Sequence, residues 1–452
     1  MDMHRYSGET ERLAQAVMRV ALDRLRMDAP LDGPRTPEDL SARAGQTITA
    51  SGMGGTEALR LWTDVLGPAT MSVDHPRYLA FIPGAPTESS TLFDLVVGAS
   101  SLYGGSWLES SGAVYAENQA LRWVCDLVGL PEGSGGCFVQ GGTVGNLSAL
   151  VAARHAALEQ RGGVRPARWK VAITDETHSS VTYALRSVMD VDTLLVPGDE
   201  RGRLTGEALE ATLSVADADG LFAVVATAGT TNVGVVDDLA GVAAVCRERG
   251  LWMHVDGAYG GAALAAPSVR RLFDGVEHAD SFIVDPHKWL FSPFDCCALV
   301  YRDPAVARRA HTQHAGYLDA VTVDSEWNPS DYAIHLSRRA RGLPFWFSLA
   351  AHGSDAYREA IESTLAVARE GAQEIRSRRY LELLVEPDLS VLIFRRVGWT
   401  PEEYHAWSAR LLAEGYAFVT PTVHMGETCT RFAIVNPRTT VSDLTGILAT
   451  MA

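Results

Sequence analysis

Apolar and polar positions follow three regimes along this chain. In "ETERLAQAVMRVALDRLRM", residues 9–27, apolar side chains recur at helical spacing, and "TPEDL" has the form of a helix start. Roughly the first 75 residues therefore predict helices with a polar break. From about Leu92 to Tyr301 the pattern becomes short apolar runs: "WKVAIT", "VDTLLVP", "LFAVVAT", "WMHV", "SFIV" and "CALVY". Each is four to eight residues long, and most are separated by helix-compatible or turn-rich segments. Such runs, alternating with helices, predict a mainly parallel sheet covered on both faces. After "RARGLPFWFSLAAHG" come a helical stretch, "DAYREAIESTLAVAREGAQEIRSR", the run "LSVLIFRRV", a helix "TPEEYHAWSARLLAEG" and the run "TRFAIVNPR". They predict a small α/β unit. The expected division is an N-terminal helical segment over 1–85, a large α/β domain over 86–345 and a small C-terminal domain over 346–452.

Composition narrows the function classes. A formal charge of −16 argues against a nucleic-acid surface, which needs clustered Lys and Arg. No run of about 18 apolar residues occurs, so no membrane span is expected. The opening "MDMHRYSGETERLAQAV" carries acids and lacks an apolar core, unlike a secretory signal, and a cytoplasmic location is expected. The six cysteines form no C-x-x-C pair and no Cys/His cluster has zinc spacing, so neither a metal site nor a disulfide framework is expected. Adjacent Cys296 and Cys297 read as small core residues on alternate strand faces.

One count changes the picture. Among 39 Lys plus Arg, lysine occurs only at positions 170 and 288. Lys288 follows the run "SFIV" in "DPHKWL". An amine can lose its proton and attack a carbonyl, whereas a guanidinium stays charged. Ligands of open parallel sheets collect at the carboxyl ends of the strands. His178, Thr230, Thr231, Asp256, Asp285, His287 and Lys288 all stand just after apolar runs and would meet on one edge.

That set suits an electron-sink cofactor such as pyridoxal phosphate, which is anchored by a lysine and needs a carboxylate at its ring nitrogen. Asp256 in "MHVDGAYGG" is followed by small residues that let a flat ring approach. "QGGTVGNLSAL" offers a Gly-rich turn opening a helix for a phosphate. His178 in "DETHSSV" could lie against one ring face. Taken singly, each has an ordinary reading: a surface lysine with its stem on Trp289, a capping aspartate, a common turn, a structural histidine.

"GGTVGN", "DETHSS", "TAGTTNVGVVDDL", "HVDGAYGG" and "DPHKWL", in that order, resemble the group II pyridoxal-phosphate-dependent amino-acid decarboxylases, over about His75 to Arg438. "HPRYLAFIPGAPTESS" and "GGSWLESSGAVYAEN" bring the similarity closest to the aromatic-L-amino-acid branch. The resemblance implies an aspartate-aminotransferase-like fold (fold type I) with a seven-stranded central sheet, and a homodimer with its site between subunits. It implies Lys288 as the Schiff-base lysine, Asp256 as partner of the pyridine nitrogen, Ala258 beneath the ring and His178 stacked on it. Thr143 and Val144 would offer backbone to the phosphate, with His287 and Asp285 nearby. Thr231 and Asp237 fall on the family's "GTT…D" pattern. Asp285 departs from the Asn of many relatives, and Pro344 from a lysine.

The resemblance also implies that Tyr317, in "HAGYLDA", protonates the carbanionic intermediate once carbon dioxide has left. Related aldehyde synthases often carry phenylalanine there. Ile82, Pro83, Gly84 and Trp107 match entrance and aromatic segments, favouring an aromatic or bulky apolar substrate. Ser337 matches a position that varies with substrate in plant relatives, and Arg338, Arg339 and Arg341 leave an acidic substrate open. The expected activity is decarboxylation of an L-amino acid to amine and carbon dioxide. Its rivals are an aldehyde synthase, a carbon–carbon or carbon–sulfur lyase, and a catalytically silent cofactor-binding interaction protein.

Overall fold

All six apolar runs of the middle region are strands, joined by a seventh that hydropathy did not reveal. The computed structural model describes residues 3–314 and 326–452. Its larger sheet contains β1 (Gly135–Val139), β2 (Lys170–Ile173), β3 (Asp192–Leu195), β4 (Leu221–Thr227), β5 (Trp252–Asp256), β6 (Ser281–Val284) and β7 (Cys297–Tyr301). Their order is β1-β7-β6-β5-β4-β2-β3. β7 runs antiparallel to both β1 and β6, and the remaining pairs are parallel.

The unpredicted strand is β1, "GGCFV", whose two glycines look like a turn. Packing explains them. A Cβ at Gly136 would collide with the Leu299 carbonyl of β7, and one at Gly135 would stand 2.9 Å from the Trp327 ring. Glycine lets these neighbours close in.

Strand faces alternate as expected. Cys296, just before β7, packs with Phe282, Val284, Ala298 and Val300, while Cys297 packs with Ile283, Leu299 and Tyr301 on the other face. Burial pushes both thiols well above the ordinary range. The helix Gly142–Gln160 packs against β4 to β7, which places its N-terminus near the carboxyl ends of β5 and β6.

A second, antiparallel sheet holds β8 (Leu381–Leu383), β9 (Val391–Arg396), β10 (Thr420–His424) and β11 (Glu427–Ala433), in the order β10-β11-β9-β8. β10 carries Pro421 and lies at the edge, where a missing N–H is tolerated. The long helix Leu343–Ser377 leads into this unit and breaks its helical geometry at Gly353, where φ is 77°. Pro344 sits in its first turn, where a proline costs no hydrogen bond, so this departure from relatives is a helix start.

The segment around Tyr78 is hydrogen-bonded to the unit of the second sheet. Leu79 N–H donates to Phe418 O at 2.8 Å, Phe418 N–H donates to Arg77 O at 2.9 Å, and Ala433 N–H donates to Leu79 O at 2.9 Å. Leu79 lies in the same apolar core as Phe394 and Phe432. The N-terminal helix Gly8–Arg26 buries none of its residues. No helix among the described residues is long and apolar enough to cross a membrane.

Candidate active site

A cavity of about 320 Å³ opens at the carboxyl edge of the larger sheet. Of the residues singled out from the sequence, Thr143, His178, Thr231, Asp256, Ala258, Asp285, His287 and Lys288 line it. They come from the start of helix Gly142–Gln160 and from the segments after β2, β4, β5 and β6. Convergence of separate strand ends, read from the order of polar residues, is what the chain does.

Lys288 and Asp285 are bound to each other. The turn Asp285-Pro286-His287-Lys288 closes with Lys288 N–H on Asp285 O at 2.9 Å, and it places Nζ 2.9 Å from Asp285 Oδ2. The lysine side chain is 24% exposed, its carboxylate partner 2%. Burial alone would push the Asp285 carboxyl up, but the Lys288 charge, helped by His287 only at the acid pH where a carboxyl titrates, overrides it and holds the group below the usual carboxylate range. For the amine, burial acts downward and the Asp285 charge outweighs it, so Lys288 is raised. His287 is pushed down by burial, and its Nδ1 lies 2.7 Å from the Cys296 carbonyl oxygen. Trp289 is fully buried in the core and donates to Thr364 Oγ1 at 3.0 Å, so no surface lysine stem lies over it.

Asp256 ends a buried chain of hydrogen bonds whose direction is fixed by chemistry. Its Oδ1 accepts from Ala258 N–H at 3.0 Å, and its Oδ2 accepts from Asn146 Nδ2 at 2.8 Å. With its amide nitrogen so used, Asn146 offers Oδ1 to His254 Nε2, 2.7 Å away, which must carry the proton. His254 Nδ1 then accepts from Ser281 Oγ at 2.8 Å, and Ser281 Oγ in turn accepts from Trp252 Nε1 at 2.8 Å. Every donor points towards the carboxylate, which serves only as acceptor. Burial lowers the His254 imidazole to about 4, consistent with a neutral ring.

The helix Gly142–Gln160 begins at Gly141 with no side-chain cap. Its leading N–H groups have no partner within the helix, and Gly141, Gly142 and Thr143 line the cavity. A Cβ at Gly142 would press on Asp285 Oδ2 and on the Ala258 methyl. The expectation for Val144 is corrected here: its N–H is already donated to Gly141 O at 3.0 Å and its side chain packs into the core. Asp237 lies behind the cavity, accepting from Leu204 N–H at 2.8 Å and Thr227 N–H at 2.6 Å, and burial raises it to about 7.

His178 starts a short helix, with Nδ1 at 2.8 Å from Ser180 Oγ and the ring exposed to the cavity. Thr227 Oγ1 and Asp285 Oδ1, both on the cavity wall, are buried without a hydrogen-bond partner.

Other expected contacts lie outside the cavity lining. Ile82, Pro83 and Gly84 are buried beside it, since a Cβ at Gly84 would collide with the His287 carbonyl oxygen. Trp107 opens the helix Trp107–Val128, its N–H on Asn328 Oδ1 at 2.9 Å, and Ser337 is exposed. The suggestion that Arg338 meets substrate is corrected. Its buried guanidinium binds Glu117 at 2.8 and 2.9 Å and also the Gly104 carbonyl. Arg339 pairs with Asp94 at 2.9 Å and Arg341 with Asp295. Tyr317 lies outside the described residues. Asn146, Ser180, Thr227, Gly229 and Tyr259 line the cavity without having been read from the sequence. Asn146 was legible in principle, four positions into its helix and so above Gly142, while His254 and Asp256 share one face of β5.

The family model described as "Pyridoxal-dependent decarboxylase conserved domain" matches residues 60–397. The chain belongs to this family. Among its relatives, an aromatic-L-amino-acid decarboxylase of Bacillus atrophaeus is 30% identical over 389 residues, covering 83% of this chain and 80% of that one. A phenylacetaldehyde synthase of Petunia hybrida is 29% identical over 391 residues, with 80% and 77% covered. The crystal structure of Oryza sativa TDC with PLP and tryptamine superposes with a TM-score of 0.89 at 26% identity, covering 100% of this chain and 99% of that one. This decarboxylase is accordingly a carboxy-lyase of fold type I that uses pyridoxal 5'-phosphate and acts on an amino acid.

Proposed function

We propose that this decarboxylase acts on an aromatic or bulky apolar L-amino acid and releases the amine and carbon dioxide. The donor set fits the cofactor at each end. The Lys288 amine suits its aldehyde, the accept-only carboxylate of Asp256 its protonated ring nitrogen, and the uncapped helix start at Gly142 and Thr143 its phosphate. Ala258 leaves room beneath a flat ring, and the exposed imidazole of His178 can cover the other face. When bound, pyridoxal phosphate accepts the electron pair released as the α-carboxylate departs. Tyr317 then supplies the proton to Cα as a general acid.

One observation carries the substrate class. The three arginines at 338, 339 and 341 are each paired with a carboxylate, while Phe294 stands exposed against the ring of His287, a cavity residue, at 4.7 Å. An acidic side chain would find these guanidiniums spent, and an aromatic one would find rings. Incubating a panel of amino acids with the enzyme and cofactor, and identifying every product by mass spectrometry, tests this. Turnover confined to acidic substrates would overturn it. Tyr317→Phe should divert product from amine to aldehyde with oxygen uptake, and unchanged amine yield would remove Tyr317 from the mechanism.

We also propose a homodimer. Helix Gly8–Arg26 buries nothing in its own chain, and Leu92, Leu95, Val96, Leu108 and Tyr115 expose apolar surface on the next long helices. Sedimentation should give twice the chain mass, and a monomer with full turnover would refute the assembly.

A further inference from the structure

We propose that Asp285 is the charge partner and positioning group of Lys288: it holds the free amine as an ammonium aimed into the cavity. This rests on the reading that Lys288 carries the cofactor, and it gives Asp285 a role beyond standing near the phosphate.

The geometry is local and tight. Residues 285 and 288 are one turn apart, the turn closes on its own backbone, and Pro286 fixes part of its path. Oδ2 stands 2.9 Å from Nζ, which is hydrogen-bond distance, and the carboxylate is shut off from water on the remaining sides. Oδ2 also lies close under the helix start, where a Cβ at Gly142 would stand 3.3 Å from it. Oδ1 is buried and unpartnered, and besides Lys288 the carboxylate has the neutral Cys297 thiol as a side-chain hydrogen-bond partner. An asparagine of the same shape could accept one hydrogen bond from Nζ, but it would bring no charge to hold the amine as an ammonium.

The other titratable groups around the amine do not fill this role. Asp256 faces Lys288 from β5, but it acts on the amine only as a charge weaker in effect than Asp285 and without a hydrogen bond to it. His287, 3.7 Å from Asp285 Oδ2, is pushed down by burial and is neutral near pH 7. The Cys297 thiol on β7 is raised well above the usual range, so it carries no charge there either. His178 enters from the segment after β2 and is engaged with Ser180. Ammonium and carboxylate are neutral together, so the pair strands no net charge in the cavity.

Lysine scarcity makes the test clean. In the cofactor-free, full-length protein, trace acylation of amines across pH can be read at Lys288 and at Lys170 by peptide mass spectrometry, with Lys170 as internal control. In the wild type, Lys288 should react with a midpoint above that of an exposed lysine despite its partial burial. Asp285→Asn should move that midpoint down by about one unit or more and leave Lys170 where it was, while Asp285→Glu should keep it high. A wild-type midpoint below that of an exposed lysine, or an Asp285→Asn midpoint that does not move, overturns the proposal. The wild-type measurement decides even if the variant fails to fold. Borohydride reduction with pyridoxal phosphate separates this from the underlying reading. If no phosphopyridoxyl group is fixed on the Lys288 peptide, the cofactor assignment fails. If it is fixed and the midpoints coincide, only the role of Asp285 fails.

Discussion

At one end of the larger sheet Lys170 opens β2 with its Nζ 2.9 Å from Asp217 Oδ2; at the other end Lys288 follows β6 with its Nζ 2.9 Å from Asp285 Oδ2. Distance does not distinguish these pairs. Their surroundings do: the Asp217 side chain is 79% exposed and that of Asp285 only 2%. Water and salt screen the first pair, so its attraction is partly cancelled. The second is sealed under a helix start, where each charge depends on the other. An identical contact is surface decoration at the amino edge of the sheet and chemistry at the carboxyl edge.

The largest break in this comparison is expected from replacing each lysine by arginine. Lys288→Arg keeps a cation beside Asp285 but removes an amine that can be deprotonated. Cofactor absorbance and turnover should both fall to background. Lys170→Arg keeps its ion pair with Asp217 and should leave both at the wild-type level, as read by absorbance and a carbon dioxide assay. Comparable losses in the two variants would mean that the two edges do not differ as described.

The carboxyl edge is also expected to respond to acid in a way the exposed edge cannot. His254, neutral and buried behind Asp256, is lowered from 6.5 to about 4. The unfolded chain therefore takes up this proton before the folded one does. The stability it supports is complete above the unfolded value and is lost as pH falls towards the folded one. Near pH 5, His254→Gln should reduce the number of protons taken up on unfolding by about one. The slope of urea-unfolding free energy against pH reads this directly. An unchanged slope would mean that His254 is already protonated in the fold and that the one-way chain to Asp256 is wrong. Asp237, raised to about 7, works in the opposite sense, losing stability as pH rises, and the variant leaves that contribution in place.

What could be read beforehand follows from where the information lies. β4, β5 and β6 announced themselves because a strand buried on both faces must be apolar throughout. Lys288, Asp256 and His178 stood out because strand ends in such a sheet face one edge. β1 stayed hidden because its glycines answer to Leu299 and Trp327, far away in sequence. The role of Arg338 was misjudged for the same reason, since its fate was decided by Glu117, 221 positions earlier. The chain from Trp252 to Asp256 passes through Ser281, His254 and Asn146 on three different elements. Chain order carries no trace of that pairing, although the residue types and strand parity allow it.

The smallest effect is expected at the amino edge, and it sharpens the comparison most economically. Asp217→Ala removes the carboxylate from Lys170 but leaves the backbone carbonyl of residue 217, which already accepts from Nζ at 2.8 Å. The amine keeps a hydrogen bond and its access to water, so no charge is left stranded. Unfolding temperature and turnover should match the wild type at low salt and again at high salt, because screening has little left to remove. The same truncation at Asp285 leaves the partly buried Lys288 ammonium without its carboxylate and should lower both. If Asp217→Ala costs several degrees, burial is not what separates the two pairs, and the contrast between the edges must be sought in the backbone around Lys170.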